Sequence, residues 1–221
     1  MQNTTSVEQQ RAGVLSTNKV LRQTYALLAM TLLFSALMAG VSMFMAVPQG
    51  MAMISSIGAI VLLMFVLPKF ENSTAGIGLV FLATGMLGFG LGPMLSYYLK
   101  FGGGPQVVTT ALAGTGVIFM ALSAYVLTTR KDFSYMGGFL MVGLIVVFGA
   151  AILNIFMSIP ALSLAISAGM ILLMSGFILF DTSRIINGGE TNYIRATVSL
   201  FINIFNIFTS LLHILGVMGD E

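Results

Sequence analysis

The sequence predicts an all-α membrane protein with seven transmembrane helices. Hydrophobic residues make up 57% of the 221 residues and charged residues only 7%, whereas an ordinary globular domain carries about 25% charge. The few charged residues divide the chain into long uncharged intervals, and Cys is absent. We therefore expect most of the molecular surface to face lipid, with the uncharged intervals forming the membrane spans.

These intervals give the number of spans, because an ionised side chain at the bilayer centre costs roughly 2.5 to 3.5 kcal/mol. Three intervals of about 24 to 29 residues hold one span each, and two of about 47 residues hold two, since one crossing needs about 20 residues. Pro48-Gln49-Gly50 and Ser158-Ile159-Pro160 divide the two long intervals. The spans are predicted at about 24–47, 51–67, 74–99, 106–128, 134–157, 161–181 and 196–216. Helices are expected because the backbone must satisfy its own hydrogen bonds in hydrocarbon.

The basic residues predict the orientation of this domain, which covers residues 24–221 and follows a polar tail at residues 1–23. Lys100 alone lies on one predicted side of the membrane. The other eight basic residues lie in the tail or in the loops after even-numbered spans: Arg11, Lys19, Arg22, Lys69, Arg130, Lys131, Arg184 and Arg195. Because basic residues accumulate on the cytoplasmic side, we expect a cytoplasmic N-terminus and, after seven crossings, a C-terminus on the opposite side.

Small residues inside the spans indicate how the helices pack. The chain contains 25 Gly residues, and many lie in the predicted spans. Helices in lipid pack through close backbone approach at small residues, so tight packing is the favoured interpretation. The alternative is confined to Gly85–Pro93, where four glycines and a proline could unwind a helix and present carbonyl groups to an ion.

The last span carries a polar stripe on an otherwise apolar helix. Five polar residues fall within an arc of about 80° at helical spacing: Ser199, Asn203, Asn206, Ser210 and His213. Polar side chains in a membrane need internal partners, so we expect the other spans to enclose this helix. The stripe fits either of two roles, hydrogen bonding between helices or lining a polar pathway.

Asp181 is the candidate carboxylate, predicted at the cytoplasmic end of the sixth span. Arg184 follows it by three residues, a spacing at which an ion pair can form on a helix. Asp181 therefore fits either a boundary ion pair or a gating and ion-binding role. His213, which could meet Asn154 at a similar depth in the membrane, fits either a structural role or a proton sensor.

The sequence does not favour an enzyme, a cofactor site or a nucleic-acid partner. A single His excludes HExxH and any imidazole cluster for a metal. The basic residues are scattered along the chain, whereas nucleic-acid-binding proteins cluster them on one face.

Three stretches together resemble the Bax inhibitor family of multi-spanning membrane proteins: Gly88–Leu95, Ala124–Leu140 and Leu179–Phe208. The segment NYIRATVSL is especially similar to the bacterial YccA-like branch, and the resemblance covers essentially all seven spans. It implies six helices around a central C-terminal helix, located in a bacterial inner membrane with the C-terminus in the periplasm.

The resemblance implies two functions. Some family members are pH-sensitive calcium leak channels with two gating carboxylates. Asp181 stands at the first position, but Asn203 stands at the second, so the coupled titration of two close carboxylates is lost and a cation meets one formal charge fewer. YccA-like members are instead associated with the membrane-anchored ATP-dependent protease FtsH, as substrates that also restrain it.

The favoured prediction is therefore a modulator and substrate of FtsH and its associated complex, with the cytoplasmic tail as the handle. The alternative is a cation leak. Its candidate pathway residues are Asp181, Arg184, Asn203, Asn206, Ser210 and His213, and Asp181 is the candidate calcium ligand.

Overall fold

The computed structural model describes residues 2–101 and 103–219, with side chains described from Lys19 onward. This part of the chain contains helices and no strands, and seven of the helices are long and apolar enough to cross a membrane. The predicted all-α fold with seven spans is thus confirmed. The helices are α1 (Gln2–Phe44), α2 (Gln49–Phe70), α3 (Thr74–Lys100), α4 (Pro105–Thr129), α5 (Gly137–Met157), α6 (Pro160–Ile186) and α7 (Tyr193–Gly219).

The two predicted turns lie where the sequence placed them. α1 ends at Phe44 and Pro48 is the N-cap of α2, while α5 ends at Met157 and α6 begins at Pro160. Proline fits the first turn of a helix, because its missing N–H has no partner there in any case. Within α2, a π-helical turn at Leu62–Val66 precedes Pro68, which cannot donate the usual i→i−4 hydrogen bond.

The sixth span is longer than predicted. α6 continues to Ile186, five residues beyond Asp181, and Gly188 follows its end with φ +77°. Glycine adopts this left-handed conformation readily and so ends helices. The charge at Asp181 was therefore a wrong indicator of the helix end, and the carboxylate lies inside α6 rather than at its boundary.

The glycine-rich segment of α3 is a packing surface. α3 is helical throughout, across Pro93, and together with α1 it forms the most extensively packed helix pair. A Cβ atom at Gly88 would clash with the backbone and hydroxyl of Ser35, and one at Gly92 with Ser42. The interpretation as tight packing is confirmed, and the alternative of an unwound helix is wrong.

The last helix has the most buried apolar stretch among the described spans, with half of its residues buried. It packs against α6, α4, α1 and α3, whereas α2 lies mainly on α3 and α5 mainly on α6. The enclosure of α7 by all six other helices stays a prediction. The outward faces of α2 and α5 expose large apolar side chains such as Ile54, Phe139 and Ile145, as expected of surfaces that contact lipid.

Candidate functional site

The polar stripe of α7 faces protein. Asn203 is 4% exposed and Ser210 is 8% exposed. Ser199, Asn206 and His213 are half-buried. Burial without a hydrogen-bond partner is unfavourable for such groups, so the partners of each residue decide what the stripe does.

Asp181 of α6 is bound by two residues of the stripe. The Ser199 hydroxyl donates to Oδ2 of Asp181 at 2.6 Å, and the Asn203 side-chain amide donates to the same oxygen at 2.8 Å. Ser199 and Asn203 are one helical turn apart and so share a face of α7. The extra turn of α6 beyond Asp181 places the carboxylate deep enough to meet both. The two donors replace part of the hydration that the carboxylate loses inside the bundle.

The Arg184 side chain contacts the loop at the end of α6 rather than Asp181. Its Nη2 donates to the Gly189 carbonyl at 3.0 Å and lies 3.8 Å from Oε2 of Glu190. The backbone N–H groups of Gly189 and Glu190 donate to the Arg184 carbonyl at 2.8 and 3.1 Å. Gly189 and Glu190 lie in the loop after α6, which ends at Ile186, so the Arg184 side chain ties this loop to the last turn of the helix while the loop N–H groups cap it. The pairing with Asp181 that the spacing allowed is therefore replaced by a helix cap.

The outer part of the stripe has separate partners. Nδ1 of His213 lies 2.8 Å from the Ser167 hydroxyl of α6, so the expected contact with Asn154 is wrong. Asn154 instead accepts a hydrogen bond from the Ile159 N–H at 3.0 Å, within the turn between α5 and α6. Asn206 donates to the Ile202 carbonyl of its own helix at 2.8 Å. The stripe thus forms separate contacts rather than one continuous network.

A charged cluster that was not predicted from the sequence lies at the end of the bundle that carries the α6–α7 loop (residues 187–192). Arg195 of α7 donates through Nε to Oε2 of Glu71 at 3.1 Å and also through Nη2 to Oε1 of Glu71. Its Nη1 lies 3.8 Å from Oε2 of Glu190. The opposite charges of Glu190 and Arg195 around the start of the last span were the available signal. Glu71 lies far away in sequence, and no sequence pattern connected it with Glu190 or Arg195.

The loop between α4 and α5 is fixed to α6 next to the site. The Phe133 N–H donates to the Ser183 hydroxyl at 2.8 Å. Hydrogen bonds from the Ser134 side chain and backbone hold the pKa of the exposed Asp132 carboxyl below its usual value. Ser183 therefore anchors this loop two residues from Asp181.

Asp181, the candidate calcium ligand, has few oxygen ligands around it. Among the described residues, no group of three or more His, Asp or Glu side chains could hold a metal ion. Calcium usually takes six to eight oxygen ligands, and the groups hydrogen-bonded to Asp181 are one hydroxyl and one amide. These hydrogen-bonded groups therefore do not supply the ligand set of a calcium site.

These features define a multi-pass helical membrane protein with a carboxylate held between its last two helices. The family model described as inhibitor of apoptosis-promoting Bax1 matches residues 17–220, and the chain belongs to the Bax inhibitor family. It is 51% identical over 216 residues to the modulator of FtsH protease YccA of Escherichia coli K12, covering 98% of each chain. It is also 50% identical over 207 residues to an uncharacterized membrane protein of Vibrio cholerae serotype O1, covering 94% of this chain and 93% of the relative.

Proposed function

We propose that this protein is an inner-membrane modulator of the membrane-anchored ATP-dependent protease FtsH, and also a substrate of it. The observation that carries the proposal is the 51% identity over 98% of both chains to a protein named as a modulator of that protease. The same extent of identity links it to a protein named inner membrane protein YccA. The similarity extends over the whole bundle. A feature of the bundle through which the relative acts on the protease can therefore be shared by this chain.

The N-terminal tail is the proposed handle for the protease. The eight-to-one distribution of basic residues supports a cytoplasmic N-terminus, the side on which an ATPase motor would act. The predicted tail of about 23 residues lies within α1, which begins at Gln2, and it extends to roughly 75 Å once it is unfolded. The connections between the described spans are short, which leaves a motor little else to grip.

The packing of α1 supplies the proposed resistance to extraction. Pulling on the tail loads α1 first, and α1 is bound to α3 by the close approach at Gly88 and Gly92. A substrate that unfolds slowly occupies the protease and so restrains its action on other membrane proteins. Modulation then follows from slow degradation, without a separate inhibitory domain.

Deletion of residues 2–20 tests the handle. We expect the deleted protein to persist longer than the wild type in cells that contain FtsH, and both to be equally stable in cells that lack it. The matched control replaces residues 2–20 with a Gly/Ser segment of equal length, which keeps the reach but changes the chemistry. Equal turnover of the wild type and the deletion in cells with FtsH would remove the handle from the proposal.

A cation leak is the second candidate, favoured by the carboxylate of Asp181. This carboxylate lies in the polar seam between α6 and α7, which consists of Asp181, Ser199 and Asn203. The test is calcium flux into liposomes between about pH 6 and 8 for the wild type, Asp181→Asn and Asn203→Asp. Restoring a second carboxylate at position 203 would restore coupled titration, so Asn203→Asp is expected to show the largest flux and the strongest pH dependence. Absence of flux in all three proteins would end this candidate.

A further inference from the structure

A small polar cavity lies between Asp181 and the α6–α7 loop. Its volume is about 80 Å³, which is room for a few water molecules. The walls supply carboxylate, guanidinium and hydroxyl groups, the partners that buried water needs. We call it the vestibule; its lining residues are Asp181, Arg184, Ile185, Glu190, Arg195, Ala196 and Ser199.

Arg195 lies on the solvent side of the vestibule. Its side chain is 57% exposed, whereas the side chains of its two partners, Glu71 and Glu190, are 14% and 9% exposed. Glu71 belongs to the loop between α2 and α3, and Glu190 belongs to the α6–α7 loop. One guanidinium therefore links two loops that are distant in sequence and covers the more buried carboxylates beneath it.

Asn192 ties the same two loops independently. Its side-chain amide donates to the Glu71 carbonyl at 3.0 Å and to Oδ1 of Asn72 at 2.9 Å. Its Oδ1 accepts from the backbone N–H groups of Ile194 and Arg195 at 2.9 and 3.1 Å, which caps α7. These bonds do not involve the Arg195 side chain. They keep the loops together when that side chain is replaced.

We propose that Arg195 is a clamp that closes the vestibule and shields Asp181 from the aqueous phase. While the guanidinium bridges Glu71 and Glu190, it covers the solvent side of the vestibule and narrows the approach to Asp181. When the guanidinium leaves both carboxylates, its exposed side chain swings outward and Asp181 becomes accessible to bulk solvent and to dissolved reagents. The clamp is independent of the proposed relation to the protease, and it acts whether or not an ion crosses the membrane.

The test is the reaction of Asp181 with a water-soluble carbodiimide and an amine, measured by peptide mass spectrometry on the full-length protein in liposomes. Arg195→Gln is expected to raise the labelling rate at Asp181 by about fivefold, the factor that corresponds to loss of one exposed ion pair. Glu71→Gln is expected to raise it by less, because the contact of Arg195 with Glu190 remains. Arg195→Lys is also expected to raise it by less, because a lysine keeps the charge but not the bidentate geometry. The double variant Arg195→Gln with Glu71→Gln should be labelled at about the rate of Arg195→Gln alone, since Arg195→Gln already removes the bond to Glu71.

Two comparisons separate opening of the clamp from general loosening of the bundle. Lys131→Gln removes one basic residue from the same predicted side of the membrane without touching the clamp, and its labelling should match the wild type. A membrane-soluble carbodiimide, which approaches through lipid, should label Asp181 equally in wild type and variants. Unchanged labelling by the water-soluble reagent in both Arg195→Gln and Glu71→Gln would overturn the proposal. An equal rise with both reagents would overturn it as well.

Discussion

The two most extensively packed helix pairs of this protein, α1 with α3 and α6 with α7, use opposite means of association. The first pair relies on close backbone approach at Gly88 and Gly92. The second pair carries a carboxylate that accepts hydrogen bonds from Ser199 and Asn203. The first pair is therefore held by complementary surfaces, whereas the second pair keeps a carboxylate inside the bundle.

This comparison indicates where stability and function reside. Packing by shape adds van der Waals contact without burying a group that needs a partner. A polar seam gains from its hydrogen bonds only while every partner is present, and a partly satisfied network is unfavourable. We therefore expect α1 and α3 to resist unfolding, and α6 and α7 to respond to changes at a single polar atom.

The largest expected effect is at Gly88. Gly88→Ala places a Cβ against the backbone carbonyl of Ser35, which cannot move away as a side chain can. We expect a loss of about 3 kcal/mol in the free energy of unfolding, the upper end for overpacked sites, measured by thermal or denaturant unfolding in detergent. Gly78→Ala is the matched control on α3, since nothing lies within 4 Å of a Cβ there. Similar stability of the two variants would refute packing by shape in this pair.

The next effect is at Asp181, where two substitutions separate hydrogen bonding from charge. Asp181→Leu leaves Asn203, which is 4% exposed, without its acceptor, and is expected to lower stability by about 1 to 3 kcal/mol. Asp181→Asn keeps an acceptor oxygen for the same donors and should lower stability much less. If the Asn and Leu variants unfold at the same temperature, the negative charge rather than the hydrogen bonds holds the seam together.

The number of spans and their turns could be predicted from the sequence because both depend on local composition. Uncharged intervals and the prolines at positions 48 and 160 mark spans and turns directly. The end of α6 could not be placed in the same way, since a charge indicates where hydrocarbon ends and not where a helix ends. Gly188, with φ +77°, was the better signal for that end.

The contacts of the site were less predictable, because they depend on tertiary arrangement. The spacing of the stripe correctly placed Ser199 and Asn203 on one face, and burial confirms that this face is turned inward. The predicted contact of His213 with Asn154 was wrong, because the depth of a residue along a helix does not determine which neighbouring helix it faces. The pairing of Arg195 with Glu71 joins residues 124 positions apart, and no local pattern contains it.

The smallest effect comes from two serines, one in each helix pair. The Ser199 hydroxyl donates to Asp181 at 2.6 Å, so Ser199→Ala should lower stability by about 1 to 2 kcal/mol, the range of hydrogen bonds between membrane helices. The buried Ser42 hydroxyl has no hydrogen-bond partner among the described residues, and Ser42→Ala is expected to be neutral or slightly stabilising because it removes an unsatisfied polar group. Unfolding of both variants in one detergent measures the difference directly. A greater loss from Ser42→Ala than from Ser199→Ala would reverse the assignment, and would make the glycine-packed pair the one that depends on a polar contact.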